Sequence, residues 1–391
     1  MVPFSFQGLV SPLILDGATG TELQKRGMPS GVCSEEWILA HPEAILDVQR
    51  RYVAAGSQAL YAPTFGANGI TLSGHKLGDR VRDYNLALVE LSRKAAEGRA
   101  AVGGDLSPCG LAMAGVDTAL FGRLVKNFSE QAAALEEAGV DFFAVETQLS
   151  LAEARATVIA VKAVSDKPVL VSFVLDKNGR SLCGGDPISL LISMEALGVD
   201  AFGFNCVSDF DTLRSALTSL RPLTALPLAA KPNAGFPTAR DGKLLYTLEP
   251  EKLAAAARSF AEAGASLLGG CCGTNADHIR AVSRELADCS RPAAANSPRE
   301  LYASEHRWVD FAGLRETDIV SLPITEDYED EAEEAAEEAK MLRLSIDEPW
   351  QLEAVLDCQL YVRAPLWVKI PDRQLRDQFR RCYHGKAKID E

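Results

Sequence analysis

Short apolar runs recur along the first three quarters of this 391-residue chain, and most end in a polar residue or a glycine. They are Leu13–Asp16, Gln58–Ala62, Ala100–Asp105, Asp141–Thr147, Pro168–Val174, Ala201–Asn205, Leu226–Lys231 and Ser266–Gly270, of which the second and fifth end instead in apolar Ala62 and Val174. Continuous rather than alternating apolar character predicts strands covered on both faces, as in a parallel sheet. After the runs come longer stretches with apolar residues at helical spacing: Pro42–Ala55, Val81–Ala96, 124–138, Leu151–Val164, Pro187–Leu197, Asp211–Leu220, Pro250–Ala263 and Asn275–Ala287. Cys33–Glu36 reads as a turn before the first of these. Ala55-Gly56, Ala138-Gly139, Leu197-Gly198 and Ala263-Gly264 each close a helix where a glycine cap belongs. Strict alternation of strand and helix predicts a parallel sheet, and eight units fit a closed (β/α)8 TIM barrel. An open doubly wound sheet is the alternative.

Beyond the eighth unit the pattern changes. Ser290–Glu305 is rich in Pro, Ala and Ser, and residues 290–325 read as a linker. Nine acids between Glu326 and Glu338 predict a solvated helix. Leu342–Ile346 and Leu366–Ile370 read as strands, Gln351–Leu356 and Arg373–Tyr383 as helices. The chain thus divides into a barrel (1–289), a linker (290–325) and an acidic helix with a small C-terminal α/β appendage (326–391). No chemical motif stands out in the appendage.

Composition changes this picture little. With 47% apolar and 24% charged residues the chain is that of an ordinary globular protein. No apolar run is long enough to span a membrane, and the first residues lack the pattern of a signal peptide, so a cytoplasmic location and no membrane partner are expected. A formal charge of −14 argues against nucleic acid as a partner.

Cysteine placement changes it more. Nine cysteines in such a chain are expected to be thiols or metal ligands rather than disulfides. Leu267-Leu268-Gly269-Gly270-Cys271-Cys272-Gly273-Thr274 ends a strand in two adjacent cysteines framed by glycines. Neighbouring side chains on a strand point to opposite faces, so both thiols reach one point only if the chain breaks there, which glycine permits. A pair of buried, apolar-acting cysteines is the plainer reading. Cys206, at the end of another strand, shifts the balance: three thiolates with one open position make a catalytic type of zinc site, whereas four protein ligands make a structural one. Strand ends converge on one face of a barrel, and that face also receives Asp16, Thr64, Asp105, Glu146 and Asn233.

Charge then points to the chemistry. Zn2+ with three thiolates is net negative, a poor activator of water but a good holder of a substrate thiolate. Transfer of an alkyl group to sulfur follows. Asp16 and Glu146 are placed for a substrate ammonium, and the Gly17-Ala18-Thr19 turn offers N–H groups to a carboxylate. The competing role for either acid is a helix N-cap. Asn233 has three open roles: touching the metal, touching the substrate, or fixing its turn. Trp37 and Tyr61 are aromatics that would line the mouth or simply fill the core.

Asp16-Gly17-Ala18-Thr19-Gly20-Thr21, Pro63-Thr64-Phe65-Gly66-Ala67-Asn68, Val145-Glu146-Thr147, Asn205-Cys206, Lys231-Pro232-Asn233-Ala234-Gly235 and Gly269-Gly270-Cys271-Cys272-Gly273-Thr274 together resemble the homocysteine S-methyltransferase family. Within it they resemble the homocysteine-binding module of cobalamin-dependent methionine synthases. The resemblance implies a zinc-dependent barrel with one Zn2+ on Cys206, Cys271 and Cys272. It also implies L-homocysteine as substrate, its ammonium on Asp16 and Glu146, its carboxylate at Gly17 and Ala18, and methionine as product. Tyr61-Ala62-Pro63-Thr64 departs from the Glu-Thr-Asn-Thr usual in methionine synthases, and Cys33–Trp37 departs as well, which leaves the methyl donor open. Methylcobalamin on a separate corrinoid protein is the first expectation, and S-methylmethionine or betaine, held by aromatic walls such as Trp37 and Tyr61, the alternative. A non-catalytic zinc-binding subunit is the rival from another class.

Overall fold

The computed structural model describes residues 3–111, 116–240, 243–290 and 299–391. Its strands are β1 (Leu13–Ile14), β2 (Ala59–Tyr61), β3 (Ala101–Leu106), β4 (Phe142–Gln148), β5 (Val169–Phe173), β6 (Ala201–Asn205), β7 (Leu228–Lys231), β8 (Thr238–Arg240), β9 (Lys243–Leu245) and β10 (Ala265–Leu268). Helices α1 (Gly20–Lys25), α2 (Ser34–Ala40), α3 (Pro42–Ala55), α4 (Gly69–Ser73), α5 (Val81–Ala96), α6 (Thr118–Glu137), α7 (Leu151–Lys162), α8 (Pro187–Glu195), α9 (Phe210–Leu220), α10 (Pro250–Glu262) and α11 (Ala276–Glu285) fill the intervals.

Eight parallel strands form one sheet in the order β1-β10-β7-β6-β5-β4-β3-β2, and the sheet curls into a (β/α)8 barrel. The open doubly wound alternative is thereby ruled out. Strand β1 is short, so the seam between β1 and β2 is completed by single groups. Gln58 donates its N–H to the Ile14 carbonyl (2.7 Å), and its Oε1 accepts from the Ile14 N–H (2.9 Å). One turn further up, the Asp16 carboxylate accepts from the Tyr61 N–H (2.7 Å). The four anticipated glycine caps all lie in the left-handed region, with φ of 109°, 75°, 72° and 116° for Gly56, Gly139, Gly198 and Gly264.

Two apolar layers result. One shell separates strands from helices; the other fills the barrel with Leu13, Leu15, Ala59, Phe142, Ala144, Leu170, Ala201, Ala229 and Leu267. Phe4 and Phe6 close the bottom against Phe142, with ring centroids 5.1 and 5.3 Å away. Going up the inward-facing positions, apolar side chains give way to polar ones at the C-terminal rim. Ala144 is followed by Glu146, Leu170 by Ser172, Gly203 by Asn205 and Ala229 by Lys231.

Four expectations are corrected. Cys33–Glu36 is not a free turn: Cys33 caps α2, whose first residues are Ser34-Glu35-Glu36. Residues 290–325 are not a plain linker from Leu301 onward. There β11 (Leu301–Ala303) and β12 (Trp308–Asp310) form a hairpin, and Leu301 and Ala303 are buried against Ile192 of α8. Residues 291–298 of that stretch lie outside the described residues. The appendage begins before residue 326, at Ile319, and holds four strands rather than two. β13 (Ile319–Ser321), β14 (Met341–Ser345), β15 (Leu366–Lys369) and β16 (Lys388–Asp390) form a parallel sheet in sequential order. Helices α12 (Tyr328–Glu338), α13 (Pro349–Asp357) and α14 (Arg373–Cys382) connect them. The acidic helix α12 is not solvated all round, because Tyr328, Ala332 and Ala336 are buried.

The appendage is tied to the barrel by buried polar groups. Arg155 on α7 donates to the carbonyls of Arg380 and Arg381 at the end of α14. Glu305 accepts from the Leu151 N–H (3.3 Å) at the start of α7, and its carbonyl accepts from the Asp186 N–H (3.0 Å). Burial pushes the Glu305 carboxyl from an ordinary 4.5 up to about 7. Between those values the folded protein keeps a proton that the unfolded chain releases, so stability falls as pH rises through that window. Above pH 7 the penalty is complete, at up to about 3 kcal/mol. Glu305→Gln keeps an acceptor for Leu151 without the charge. Urea denaturation is expected to show the variant more stable than the parent at pH 8, with the gain gone near pH 4; equal gains at both would refute the assignment.

Candidate active site

Two strand ends and one loop build the thiol cluster. Cys206 directly follows β6 and adopts φ 59°, left-handed backbone that a side chain disfavours. Its N–H is held by the Lys231 carbonyl (3.0 Å), and its carbonyl accepts from Asn233 Nδ2 (3.0 Å). Past β10 the chain bends, as the glycines foretell. The Gly270 N–H donates to the Asp16 carbonyl (2.9 Å) and the Cys271 N–H to the Pro232 carbonyl (2.7 Å). Gly273 follows at φ 82°, and a Cβ there would sit 2.2 Å from the Tyr246 ring.

This bend brings both vicinal thiols to the same point. The sulfurs of Cys206, Cys271 and Cys272 all lie within 4.8 Å of one another, with Cys206 and Cys272 at 3.6 Å. All three are partly exposed, so the cluster faces the mouth rather than the core. Hydrogen bonds from Cys206 and Cys271 hold the Cys272 thiol down to about 3, whereas the bonds of Cys206 with Cys271 and Cys272 push Cys206 far up. Cys271 is raised to about 11: the Cys206 contact lowers it, and the Cys272 contact together with burial outweighs that. One thiolate bound to two thiols is a donor set that a divalent cation suits, since it would displace the two remaining protons. The other six cysteines are free and join no such group among the described residues.

Asn205 organises the floor beside the cluster. Its Oδ1 accepts from the Thr147 N–H (2.8 Å) and Ser172 Oγ (2.9 Å), and its Nδ2 donates to Thr147 Oγ1 (2.7 Å). These bonds hold Thr147 at φ 59°, which is strained for a β-branched residue. Sequence reasoning quotes Asn205 only as part of a motif.

Below the thiols lies a buried charge cluster. Lys231 Nζ is 2.8 Å from Asp16 Oδ1 and 3.9 Å from Glu146 Oε2, and it stands 3.5 Å above the centroid of the Tyr61 ring. Burial opposes the lysine's charge, but Asp16, Tyr61 and Glu146 outweigh it and hold the ammonium firmly protonated. Burial raises the Asp16 carboxyl, against the pull of Lys231 and the Tyr61 N–H. Glu146 is pushed up to about 8 by burial, with Lys231 opposing. Asp105 is raised well above the carboxylate range by burial and then by Glu146. Lys231 and Asp105 were given no role from sequence alone. The mixture of acids with one lysine at strand ends on the same rim of the barrel is the signal that would have found them.

The remaining anticipated residues are placed as follows. Gly17 lies against the Tyr52 ring, where a Cβ would be 2.8 Å away, and Tyr52 Oη donates to the Ala18 carbonyl (2.6 Å). The Ala18 N–H donates to Thr274 Oγ1 (3.1 Å). Thr19 stands at the N-terminus of α1 and makes no side-chain cap. Asn233 braces the Cys206 turn, also donating to Ser208 Oγ (3.0 Å), while its Oδ1 is buried with no partner among the described residues. Tyr61 is covered by Lys231, and Trp37 is stacked on His41 with centroids 4.4 Å apart. Beside the Cys206 turn a cleft of about 440 Å³ is lined by Ser208, Phe210, Gly235, Phe236 and Lys252.

A TIM barrel with three convergent thiols over a buried acidic pocket defines a class of thiolate-centred barrel enzymes. The family model for homocysteine S-methyltransferase matches residues 13–286, and the chain belongs to that family. It is 30% identical over 308 residues to the methionine synthase of Mycobacterium leprae, an alignment covering 74% of this chain and 25% of that protein. The methionine synthase of Mycobacterium tuberculosis is 29% identical over 320 residues, or 77% of this chain and 27% of the other. The chain thus spans about a quarter of the length of these relatives. Among solved structures, the metallated form of the homocysteine methyltransferase MmuM from Escherichia coli is 28% identical with a TM-score of 0.60, covering 70% of this chain and 96% of that one. No helix among the described residues is long and apolar enough to cross a membrane.

Proposed function

We propose that this chain transfers a methyl group to the sulfur of L-homocysteine, giving methionine. The observation that carries the reading is the meeting of three cysteine sulfurs within 4.8 Å above a buried acidic pocket. Cys206, Cys271 and Cys272 would hold one Zn2+, whose charge, when bound, keeps an acceptor thiol deprotonated at neutral pH. The acceptor sulfur attacks the methyl carbon in line with the donor atom; a carbon–sulfur bond forms as the donor–carbon bond breaks. The barrel's part is orientation and exclusion of water. The acids of the pocket receive the substrate ammonium. The Gly17–Thr19 turn receives the carboxylate through N–H groups flanking Ala18, whose own is taken by Thr274. Asn233 acts by positioning Cys206.

The donor that this reading favours is a methylcorrinoid carried by a separate protein. A sulfonium or quaternary ammonium donor, such as S-methylmethionine or betaine, wants free aromatic faces. Here Tyr61 already serves Lys231, and Trp37 serves His41.

Zinc-edge X-ray absorption before and after L-homocysteine tests the acceptor. The expected change is from three to four sulfur neighbours of zinc. A spectrum that homocysteine leaves untouched would sink the acceptor and favour a non-catalytic zinc-binding subunit.

A further inference from the structure

The appendage does more than rest on the barrel: it finishes two of the turns that build the mouth. Every residue of α7 except Ile159 and Lys162 is buried. A barrel helix open to solvent leaves one stripe exposed, and α7 does not, because it lies between the sheet and the appendage. Its first turn is completed from outside as well. Ser150 holds the N-cap position and makes no side-chain cap. The Leu151 N–H goes instead to Oε1 of Glu305 (3.3 Å), which lies on the loop between β11 and β12 and is 4% exposed. The Glu305 carbonyl takes the Asp186 N–H (3.0 Å) just before α8. Its neighbours fix the loop. Ser304 Oγ donates to the Arg363 carbonyl, and the His306 ring lies between the carbonyls of Gly184 (3.3 Å) and Leu360 (3.2 Å). One strap thus joins the starts of α7 and α8 to the appendage.

That strap stands close to the chemistry. Only Leu149 and Ser150 separate β4 from α7, and the end of β4 carries Glu146 and Thr147. Thr147, at φ 59°, is held from inside the barrel by Asn205. From outside, the Leu149 carbonyl is held by the Cys183 N–H (3.2 Å), and Leu151 by Glu305. A strained residue persists only while its surroundings fix it from several sides. The thiols are held by other groups. Lys231 and Asn233 fix Cys206, and the carbonyls of Asp16 and Pro232 fix the bend at Gly270 and Cys271. Loosening the β4–α7 turn therefore disturbs the substrate side of the mouth and spares the metal side.

We propose that Glu305 is a positioning residue for the acceptor site: it caps α7 from the appended hairpin and so keeps the Glu146–Thr147 strand end in place for the substrate. This rests on the homocysteine reading above. The working site then includes a residue beyond position 286, where the family match ends.

The test compares Glu305→Ala, which removes the acceptor, with Glu305→Gln, which keeps it, in the full-length, zinc-loaded protein. Amide hydrogen exchange reads the cap, and calorimetric titration with L-homocysteine reads its use. In Glu305→Ala the amides from Thr147 to Leu151 should exchange about fivefold faster and homocysteine should bind about fivefold more weakly, with zinc content unchanged. Glu305→Gln should match the parent within about twofold on both counts. Exchange or affinity unmoved in Glu305→Ala, an equal loss in Glu305→Gln, or zinc lost together with affinity overturns the proposal. If Glu305→Ala does not fold, adding Ser150→Asp supplies the cap from the N-cap position itself. That double variant should then bind homocysteine within about threefold of the parent, and weaker binding overturns the proposal. A parent that binds no homocysteine sinks the acceptor reading, and exchange at Thr147–Leu151 then decides the cap by itself.

Discussion

If the three thiols hold zinc as proposed, Cys206→Gly is expected to abolish zinc binding while leaving the protein at least as stable as the metal-free parent. Two opposite effects make this variant informative. On the metal side, a site of three thiolates loses one, and zinc affinity should fall by more than about a hundredfold, since changes to mere supporting partners already cost about 10–100-fold. On the backbone side, Cys206 stands at φ 59°, where a side chain costs about 1 kcal/mol or more and glycine costs almost nothing. A cysteine kept for packing would behave in the reverse manner, losing stability through a cavity and leaving any metal in place. Metal content by emission spectroscopy and metal-free stability by urea denaturation decide between them. Methyl transfer should disappear with the metal. A variant that retains about one zinc per chain would remove Cys206 from the ligand set.

The second large effect is expected at Lys231. Lys231→Met keeps the length of the side chain but takes from Asp16 and Glu146, themselves buried, the only close cation among the described residues. Breaking a buried pair from one side costs about 3–5 kcal/mol, because the surviving charge is left without a partner. Total stability for a domain is about 5–15 kcal/mol, so the loss should be plain in a denaturation curve. Replacing Asp16 as well should restore much of it: Asp16→Asn in the Lys231→Met background removes the orphaned charge, and the double variant should lose far less stability than the single changes sum to. Unchanged stability in Lys231→Met would mean that the ammonium does not hold the rim together.

Periodicity made the barrel legible. Eight buried runs alternate with amphipathic stretches, and each segment meets its neighbours through local, repeated geometry. The thiol cluster was legible for a similar reason: a strand end places Cys206, and glycines on either side of Cys271 and Cys272 allow the bend that aims both at one point. The appendage was read less well. Ile319–Ser321 and Lys388–Asp390 are three-residue strands, too short to show a period, and they become strands only by pairing with β14 and β15. The Leu301–Ala303 hairpin was hidden in the same way, by partners supplied from α8 and from β12.

The chain's own pattern therefore determined the fold class, the face on which the chemistry sits and the three sulfur ligands expected there. Each of these follows from residue type and local spacing. Only the tertiary structure decided how the charges are shared. Asp16 and Lys231 are 215 residues apart and meet at 2.8 Å because the ring brings β1 and β7 to either side of β10. Asp105 Oδ1 meets no hydrogen-bond partner among the described residues for the same kind of reason. Which acid is taken and which is free depends on distances across the barrel, and no spacing along the chain encodes those.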